Sequence, residues 1–275
     1  MENRYETRRP KEKEMIFGIR AVIEAIDAGK TLDKILIRRD MSSAIGRELM
    51  AKLKANNFES AVVKVPVEKL NQYTDKNHQG VIAFLSPIEF TALDQVVQSC
   101  FDEGKAPLIM VLDGITDVRN FGAIARTCVC AGADAIVVAS RSGVAINGDA
   151  IKTSAGALHH LPVCKVENMQ NALQYLRDSG LRVVGATEHS ETNYTQMDMT
   201  QPLAIVMGSE DRGIYEPNLA LCTDKVRIPM TGTIESLNVS VAAGIMASNP
   251  LKDAGFDPED MSKENYDRID LHRPH

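Results

Sequence analysis

The sequence lacks long apolar runs. None of its stretches approaches the roughly 18 consecutive apolar residues of a membrane-spanning helix. The charged segment Met1–Lys13 also lacks the apolar core of a signal peptide. The sequence therefore predicts a protein that is neither inserted into a membrane nor exported.

Cysteine is sparse, and its spacing matches no known framework. The five cysteines are odd in number, and no two have C-x-x-C spacing; they are Cys100, Cys128, Cys130, Cys164 and Cys222. This pattern argues against a zinc site and against a set of disulfides. We therefore expect reduced thiols and a cytoplasmic location.

Several motifs of common enzymes are also missing. The sequence has no G-x-G-x-x-G, no G-x-x-x-x-G-K-[ST] and no G-x-S-x-G. Their absence argues against a dinucleotide site, a nucleoside triphosphate site and an acyl-transfer triad. The histidines His78, His159 and His160 have no Cys or Glu nearby at metal-ligand spacing, so we expect no bound metal.

Charge is unevenly distributed. The net charge is −6, but residues 1–88 hold 16 Lys+Arg against 12 Asp+Glu, a net of +4. Residues 89–275 hold 15 against 25, a net of −10. This asymmetry suggests that the two parts have different tasks, and a basic first part is compatible with RNA binding. It is equally common on domains that bind no nucleic acid.

The chain divides into two α/β units. We predict a flexible arm at 1–13, a small α/β domain at 14–88, a linker at 89–106, a larger domain at 107–249 and a polar tail at 250–275. In the larger domain strands alternate with helices, which predicts a mostly parallel sheet covered by helices. The predicted strands are 108–112, 135–139, 162–166, 182–186, 203–207 and 225–228, and the predicted helices are 122–132, 147–154, 168–179, 217–221 and 236–247.

Three polar signatures follow strands of the larger domain. They are Asp113-x3-Asp117-x2-Asn120-x-Gly122-Ala123-x2-Arg126, then Gly208-Ser209-Glu210-x2-Gly213, then Ile228-Pro229-Met230 before Ser236-Leu237-Asn238-Val239-Ser240. Loops at the carboxyl ends of parallel strands form the ligand sites of open α/β sheets. Each signature alone is also explained by a capped helix or a tight turn. Together they predict one composite site.

The order and spacing of these signatures resemble those of the SpoU (TrmH) family of RNA ribose 2′-O-methyltransferases. The resemblance covers 108–248 and includes Asn120, Gly122, Arg126, Gly208, Glu210, Gly213, Ser236 and Asn238. The first unit is similar to the family's substrate-binding domain, through Phe17-Gly18-Ile19-x-Ala21-Val22 and His78-Gln79-Gly80-Val81. The combination is most similar to the subgroup that methylates a guanosine of 23S ribosomal RNA.

The resemblance implies a trefoil-knot domain that binds S-adenosylmethionine and pairs as a homodimer. Gly208, Ile228, Met230 and Leu237 would hold the cofactor, and Asn120, Arg126, Glu210, Ser236 and Asn238 would line the reacting end. Arg126 would polarise the ribose hydroxyl or hold the adjacent phosphate, because an arginine is normally always protonated. Glu210 and Asn120 would orient it.

Two alternative functions remain open, and the sequence departs from the family pattern at one point. The substrate would be transfer RNA instead of ribosomal RNA, or the protein would be an RNA-binding ribosome-assembly factor without catalysis. The complete set of polar site residues argues against the second alternative. We also expect Asn249-Pro250 to end the last helix before the length usual in the family, at the face where the family pairs.

Overall fold

The computed structural model describes residues 15–56, 58–140, 143–144, 146–232 and 236–253. Its first part is a four-stranded sheet in the order β1-β4-β2-β3. The strands are β1 (Met15–Phe17), β2 (Leu32–Arg38), β3 (Val62–Val65) and β4 (Val81–Leu85), and the helices are α1 (Ile19–Asp27), α2 (Ala44–Ala55) and α3 (Val67–Asn71). Strand β4 runs antiparallel to β1 and β2, whereas β2 and β3 are parallel. Strand β1 was not predicted.

The two sequence motifs of the first part meet at a single turn. Gln79 has a positive φ of 52°, and its Oε1 accepts a hydrogen bond from Ile19 N at 3.1 Å, at the start of α1. Nδ1 of the buried His78 ring accepts a hydrogen bond from Gly80 N, and Nε2 of the same ring lies 2.8 Å from Asn71 Oδ1. Burial, and then the cation of Arg38, lower the pKa of His78. His78 is therefore a neutral structural residue.

The second part is a six-stranded parallel sheet, as predicted. Its order is β10-β8-β9-β5-β6-β7, and all of its strand pairs are parallel. The strands are β5 (Leu108–Asp113), β6 (Ala135–Ala139), β7 (Val163–Val166), β8 (Arg182–Ala186), β9 (Leu203–Gly208) and β10 (Asp224–Val226). From β5 the chain proceeds in one direction to β6 and β7, then crosses to β8 on the other side, returns to β9 beside β5, and ends with β10 outside β8. The order therefore reverses between β5 and β9.

Helices cover both faces of this sheet. They are α4 (Leu93–Asp102), α5 (Val118–Cys130), α6 (Gly148–Thr153), α7 (Met169–Asp178), α8 (Glu216–Leu219) and α9 (Val239–Asp253). Alternate residues of β5 point to opposite cores: Met110 packs in the cluster with α5 and α9, whereas Val111 packs in the cluster with α4 and α7. Strands buried on both faces read as continuous apolar runs, which is why they were visible in the sequence.

The last helix is longer than predicted. We expected Asn249-Pro250 to end it, but α9 continues through Pro250 to Asp253. A proline removes one backbone N–H but has a helical φ, so neighbouring contacts decide whether the helix goes on. Here Asn249 is buried, and its Nδ2 donates to Tyr194 O at 3.2 Å, which anchors the turn next to the proline.

Some predicted features lie outside what the structure describes or tests. The predicted arm at 1–13 and most of the predicted tail, 254–275, lie outside the described residues. Threading of the chain into a knot stays a prediction. Within the described part of the chain, no helix combines the length and the apolar character needed to cross a membrane.

A buried ion pair joins the two sheets. Lys165 Nζ on β7 donates to Asp33 Oδ1 at 2.5 Å and to Asp33 O at 3.1 Å, and the two side chains are only 13% and 8% exposed. The same ammonium lies 4.4 Å from the ring centroid of Phe90. Phe90 also forms a parallel bridge with Val163 at the start of β7. These contacts hold the first sheet against the edge of the second.

Replacing Lys165 with methionine should lower the free energy of unfolding by about 3 kcal/mol, because it leaves the Asp33 carboxylate buried without a partner. Urea denaturation followed by circular dichroism measures the change. Lys105→Met, which removes an exposed pair with Glu103, is the matched control and should have no measurable effect. Adding Asp33→Leu to Lys165→Met should restore most of the loss. Equal effects of Lys165→Met and Lys105→Met would contradict this account.

Candidate functional site

The site lies where the strand order reverses. Strands β5 and β9 are neighbours in register, with Asp113 opposite Gly208 at their carboxyl ends. The loops that follow these two strands therefore emerge side by side. In open parallel sheets this crevice is the usual place for a ligand.

The loop after β9 is a tight turn with no room for a side chain at its base. Ser209 and Gly213 exchange two backbone hydrogen bonds, of 3.1 and 2.9 Å. A Cβ on Gly208 would lie 2.1 Å from the Gly213 carbonyl carbon. Gly213 itself has a φ of 65°, which favours glycine. The turn therefore needs both glycines, and it presents Glu210 at its tip.

Asp113 fixes the far end of this loop. Its Oδ2 accepts hydrogen bonds from Tyr215 N at 2.8 Å and from Asn218 Nδ2 at 2.9 Å. The last residue of β5 therefore holds the start of α8. The sequence placed Asp113 in a signature but assigned it no role.

Helix α5 begins under the control of Asp117. The Asp117 Oδ1 accepts from Arg119 N at 2.8 Å and from Asn120 N at 2.9 Å, as an N-cap. This cap places Asn120 in the first helical turn. Gly122 lies deeper, where a Cβ would come within 2.7 Å of Thr153 Cβ. The absence of a side chain at Gly122 therefore lets α5 pack closely on α6.

A hydrogen-bond network joins the three signatures. Glu210 Oε1 accepts from Asn120 Nδ2 at 3.1 Å, from Asn238 Nδ2 at 2.6 Å and from Val239 N at 3.2 Å. Asn238 Nδ2 also donates to Asn120 Oδ1 at 3.1 Å. Asn238 Oδ1 accepts from Ser240 N at 3.1 Å, which orders the start of α9. Three loops that are far apart in sequence thus share one carboxylate.

A cavity opens beside this network. Six of the predicted site residues line it: Gly208, Glu210, Ile228, Met230, Ser236 and Leu237. Asn120 and Asn238 are not among the lining residues, but both donate hydrogen bonds to Glu210, which is. The signatures also contain the lining residues Ser209, Gly213 and Val239, to which no individual role was assigned; the sequence analysis missed Ala186, Thr187, Glu188, Met207 and Ala242. Thr187 and Glu188 directly follow β8, so the expectation that ligand sites form at the carboxyl ends of parallel strands would have found them if it had been applied to β8.

Arg126 lies outside the cavity lining. It is exposed on α5 and makes no hydrogen bond or ion pair with any residue that the structure describes. Arg126 lies six positions after Asn120, so the two side chains leave the helix about 120° apart. Val129, about one turn after Arg126 on α5, is 39% exposed, and Val241 on the neighbouring α9 is 51% exposed. Arg126 therefore shares a face of α5 with the exposed Val129 and forms no hydrogen bond or ion pair with Glu210.

The described residues offer no metal centre, and three of their thiols are shielded from ionisation by burial. Within them no group of three or more His, Cys, Asp or Glu side chains is arranged to hold a metal ion. Burial raises the pKa of Cys128 and Cys164 to about 12 and that of Cys222 to about 11. These thiols are protonated at neutral pH, so none of them is poised as a nucleophile.

Comparisons with known proteins agree with this arrangement. The profile of the SpoU rRNA methylase family matches residues 107–248, and that of RNA 2′-O ribose methyltransferase substrate binding matches residues 15–91. A putative TrmH family tRNA/rRNA methyltransferase of Staphylococcus saprophyticus is 37% identical over 86% of this chain and 94% of its own. One from Staphylococcus haemolyticus is 36% identical over 84% and 92%.

Solved structures share the fold. A crystal structure of an RNA 2′-O ribose methyltransferase is 25% identical, covers 88% of this chain and 89% of its own, and has a TM-score of 0.50. The SpoU methyltransferase AviRb from Streptomyces viridochromogenes, in complex with AdoMet, is 23% identical, covers 87% and 90%, and has a TM-score of 0.55. The matches over both parts of the chain establish the assignment: the chain belongs to the SpoU family of RNA methyltransferases.

Proposed function

We propose that this protein transfers a methyl group from S-adenosylmethionine to a ribose 2′-hydroxyl in RNA, at a guanosine of 23S ribosomal RNA. The larger domain, 107–249, would carry out the reaction in the cytoplasm, and the smaller domain, 14–88, would bind the RNA. One observation carries the proposal: the network of Asn120, Glu210 and Asn238 lies at the mouth of the cavity beside β9.

The cavity fits S-adenosylmethionine by its chemistry. Among its described lining residues there is no Lys or Arg, which suits a cofactor without phosphate groups. Glu188 and Glu210 are carboxylates that would favour a sulfonium cation and accept hydrogen bonds from ribose hydroxyls. Met230 is 39% exposed on the wall, so covering it with an adenine ring would bury apolar surface. Gly208, Ile228, Met230 and Leu237 would therefore hold the cofactor.

The residues at the mouth would orient the hydroxyl. The bound cofactor supplies an electrophilic methyl group, so the protein's task is to align the 2′-oxygen and help its proton leave. Asn120 and Asn238 are fixed by Glu210 before any substrate arrives, and Ser236 lies exposed on the cavity lining. Groups held in place in this way lose little freedom when the substrate binds.

Arg126 would complete the site from a second copy of the chain. Within one chain it is exposed and outside the cavity, on a surface that also exposes Val129 and Val241. Pairing of two copies through α5 and α9 would cover these aliphatic side chains. In such a pair Arg126 of one copy would face the Glu210 network of the other, and two-fold symmetry would repeat the same contact on the other side. There it would polarise the 2′-hydroxyl or hold the adjacent phosphate.

The first sheet would present the RNA. Arg38 and Arg39 are exposed at the end of β2, and Arg38 Nε lies 2.7 Å from Asp40 Oδ1. A splayed single-stranded nucleotide is the expected target, since the 2′-hydroxyl must leave the surface of a helix to be reached. The separate RNA-binding part favours ribosomal RNA, while the names of the relatives include transfer RNA as well.

Deleting the gene should remove one ribose methyl group from ribosomal RNA, as measured by mapping ribose methylation in total RNA. If the deletion removes a methyl group from transfer RNA instead, transfer RNA is the substrate.

Calorimetric titration of the purified protein with S-adenosylmethionine should show binding. Gly208→Ala should abolish this binding, because a Cβ there collides with the Gly213 backbone. Absence of binding of the unaltered protein at millimolar cofactor would contradict methyl transfer and favour the alternative of an RNA-binding factor without catalysis.

Glu210→Gln should lower kcat/KM about tenfold, and Glu210→Ala about a hundredfold. The amide oxygen of glutamine still accepts from Asn120 and Asn238, although without the charge that strengthens these bonds, whereas alanine leaves both donors unpaired. Methylation assays with substrate RNA measure the two losses. The exposed Glu191→Gln is the control and should retain full activity. Equal losses for Gln and Ala would identify Glu210 as a proton acceptor and contradict its orienting role.

Mixing two impaired variants tests the contribution of Arg126. Arg126→Ala and Glu210→Ala should each be strongly impaired as homodimers. A purified heterodimer of the two should regain about half of the wild-type turnover per dimer, because one of its two sites has both residues intact. If Arg126 acts within its own chain, both sites of the heterodimer lack one residue. Lack of recovery in a stable heterodimer that binds the cofactor would therefore sink the assignment.

A further inference from the structure

A second cavity lies on the other side of the loop after β9. It opens between the carboxyl ends of β5, β6 and β7 and the start of α8, and it shares only Ser209 and Gly213 with the cofactor cavity. The turn closed by these two residues is thus a wall between the two cavities. A group bound in the second cavity would be separated from the first cavity by this turn.

One lining residue of the second cavity has a buried polar atom without a partner. Asn218 is 3% exposed, and its Nδ2 donates to Asp113, but its Oδ1 has no hydrogen-bond partner among the described residues. A buried oxygen without a donor is costly. The wall of the cavity therefore carries one acceptor whose hydrogen bond is not made within the described part of the chain.

The walls combine acceptors with an exposed aromatic ring. The described lining residues contain the carboxylates of Asp113, Glu167 and Glu216 and a single cation, Arg212. Tyr215 is 64% exposed at the same cavity; its backbone N–H donates to Asp113 and its carbonyl accepts from Asn218 N and Leu219 N, whereas its side chain has no hydrogen bond with a described residue. An anionic ligand is disfavoured by the carboxylates. A flat ligand that carries N–H groups is favoured, because Tyr215 can stack on its face while the carboxylates accept from its edge.

We propose that the second cavity binds the base of the RNA nucleotide at the reacting centre and selects guanine; this inference rests on the proposed function. Guanine alone among the four RNA bases presents two adjacent N–H groups, at N1 and N2, to a carboxylate. Adenine and cytosine present one amino group beside a ring acceptor. Uracil places its N–H between two carbonyl oxygens, which carboxylates repel. Arg212, on the loop between the two cavities, would contact the phosphate.

Saturation-transfer NMR of the full chain with each of the four nucleosides tests the proposal. Guanosine should bind in the presence of S-adenosylmethionine, and uridine should not. Tyr215→Ala should weaken guanosine binding about tenfold, whereas Tyr215→Phe should retain it, because stacking needs the ring and not the hydroxyl. Glu167→Gln should reduce the preference for guanosine. Glu89→Gln, at the opposite end of β7, is the matched control and should bind as the wild type does.

Two results would overturn the inference: equal binding of guanosine and uridine, or guanosine binding that Tyr215→Ala and Glu167→Gln leave unchanged. Failure of guanosine to bind at millimolar concentration would do the same. Titration of the same samples with S-adenosylmethionine keeps this test apart from the proposed function. A protein that binds the cofactor but no guanosine contradicts only the second cavity's role, whereas a protein that does not bind the cofactor contradicts the methyl transfer.

Discussion

One carboxylate oxygen holds the site together. Glu210 Oε1 accepts hydrogen bonds from Asn120, Asn238 and the backbone N–H of Val239, and so ties the first turn of α5 to the first turn of α9. Hydrogen bonds to an ionised acceptor are stronger than neutral ones, and three donors share this one. The two helices then run side by side, with Gly244 next to Thr127. The geometry of the reacting end therefore depends on a charge at the tip of a glycine-bounded turn.

The turn after β9 serves two cavities at once. Its backbone pairing between Ser209 and Gly213 makes it a stiff wall, and Asp113 fixes the chain that leaves it through Tyr215 and Asn218. On one side lies the cavity proposed for the cofactor, and on the other lies the cavity proposed for the base. A stiff wall of this kind would keep a methyl donor and a nucleotide at a constant separation, which is the requirement for in-line transfer.

The ion pair between Lys165 and Asp33 connects this site to the first sheet. Two charges removed from water must be well paired, and here the ammonium has a carboxylate, a carbonyl and the face of Phe90 around it. The pair sits at β7, the edge strand of the larger sheet. The position of exposed arginines on the first sheet relative to the cavities is therefore set by a contact far from the reacting end.

The sequence by itself determined the alternation of strands and helices, the parallel sheet and several of the residues around the first cavity. These follow from apolar runs, turn residues and motif order, which are local properties of the chain. It missed β1, which has three residues, the extension of α9 past Pro250, and Glu188. Only the tertiary structure decided that Gly122 serves helix packing, that Glu210 joins three loops, and that Arg126 is exposed outside the cavity lining. These depend on contacts between residues distant in sequence, such as Asn120 and Asn238, and local patterns do not encode which distant groups meet.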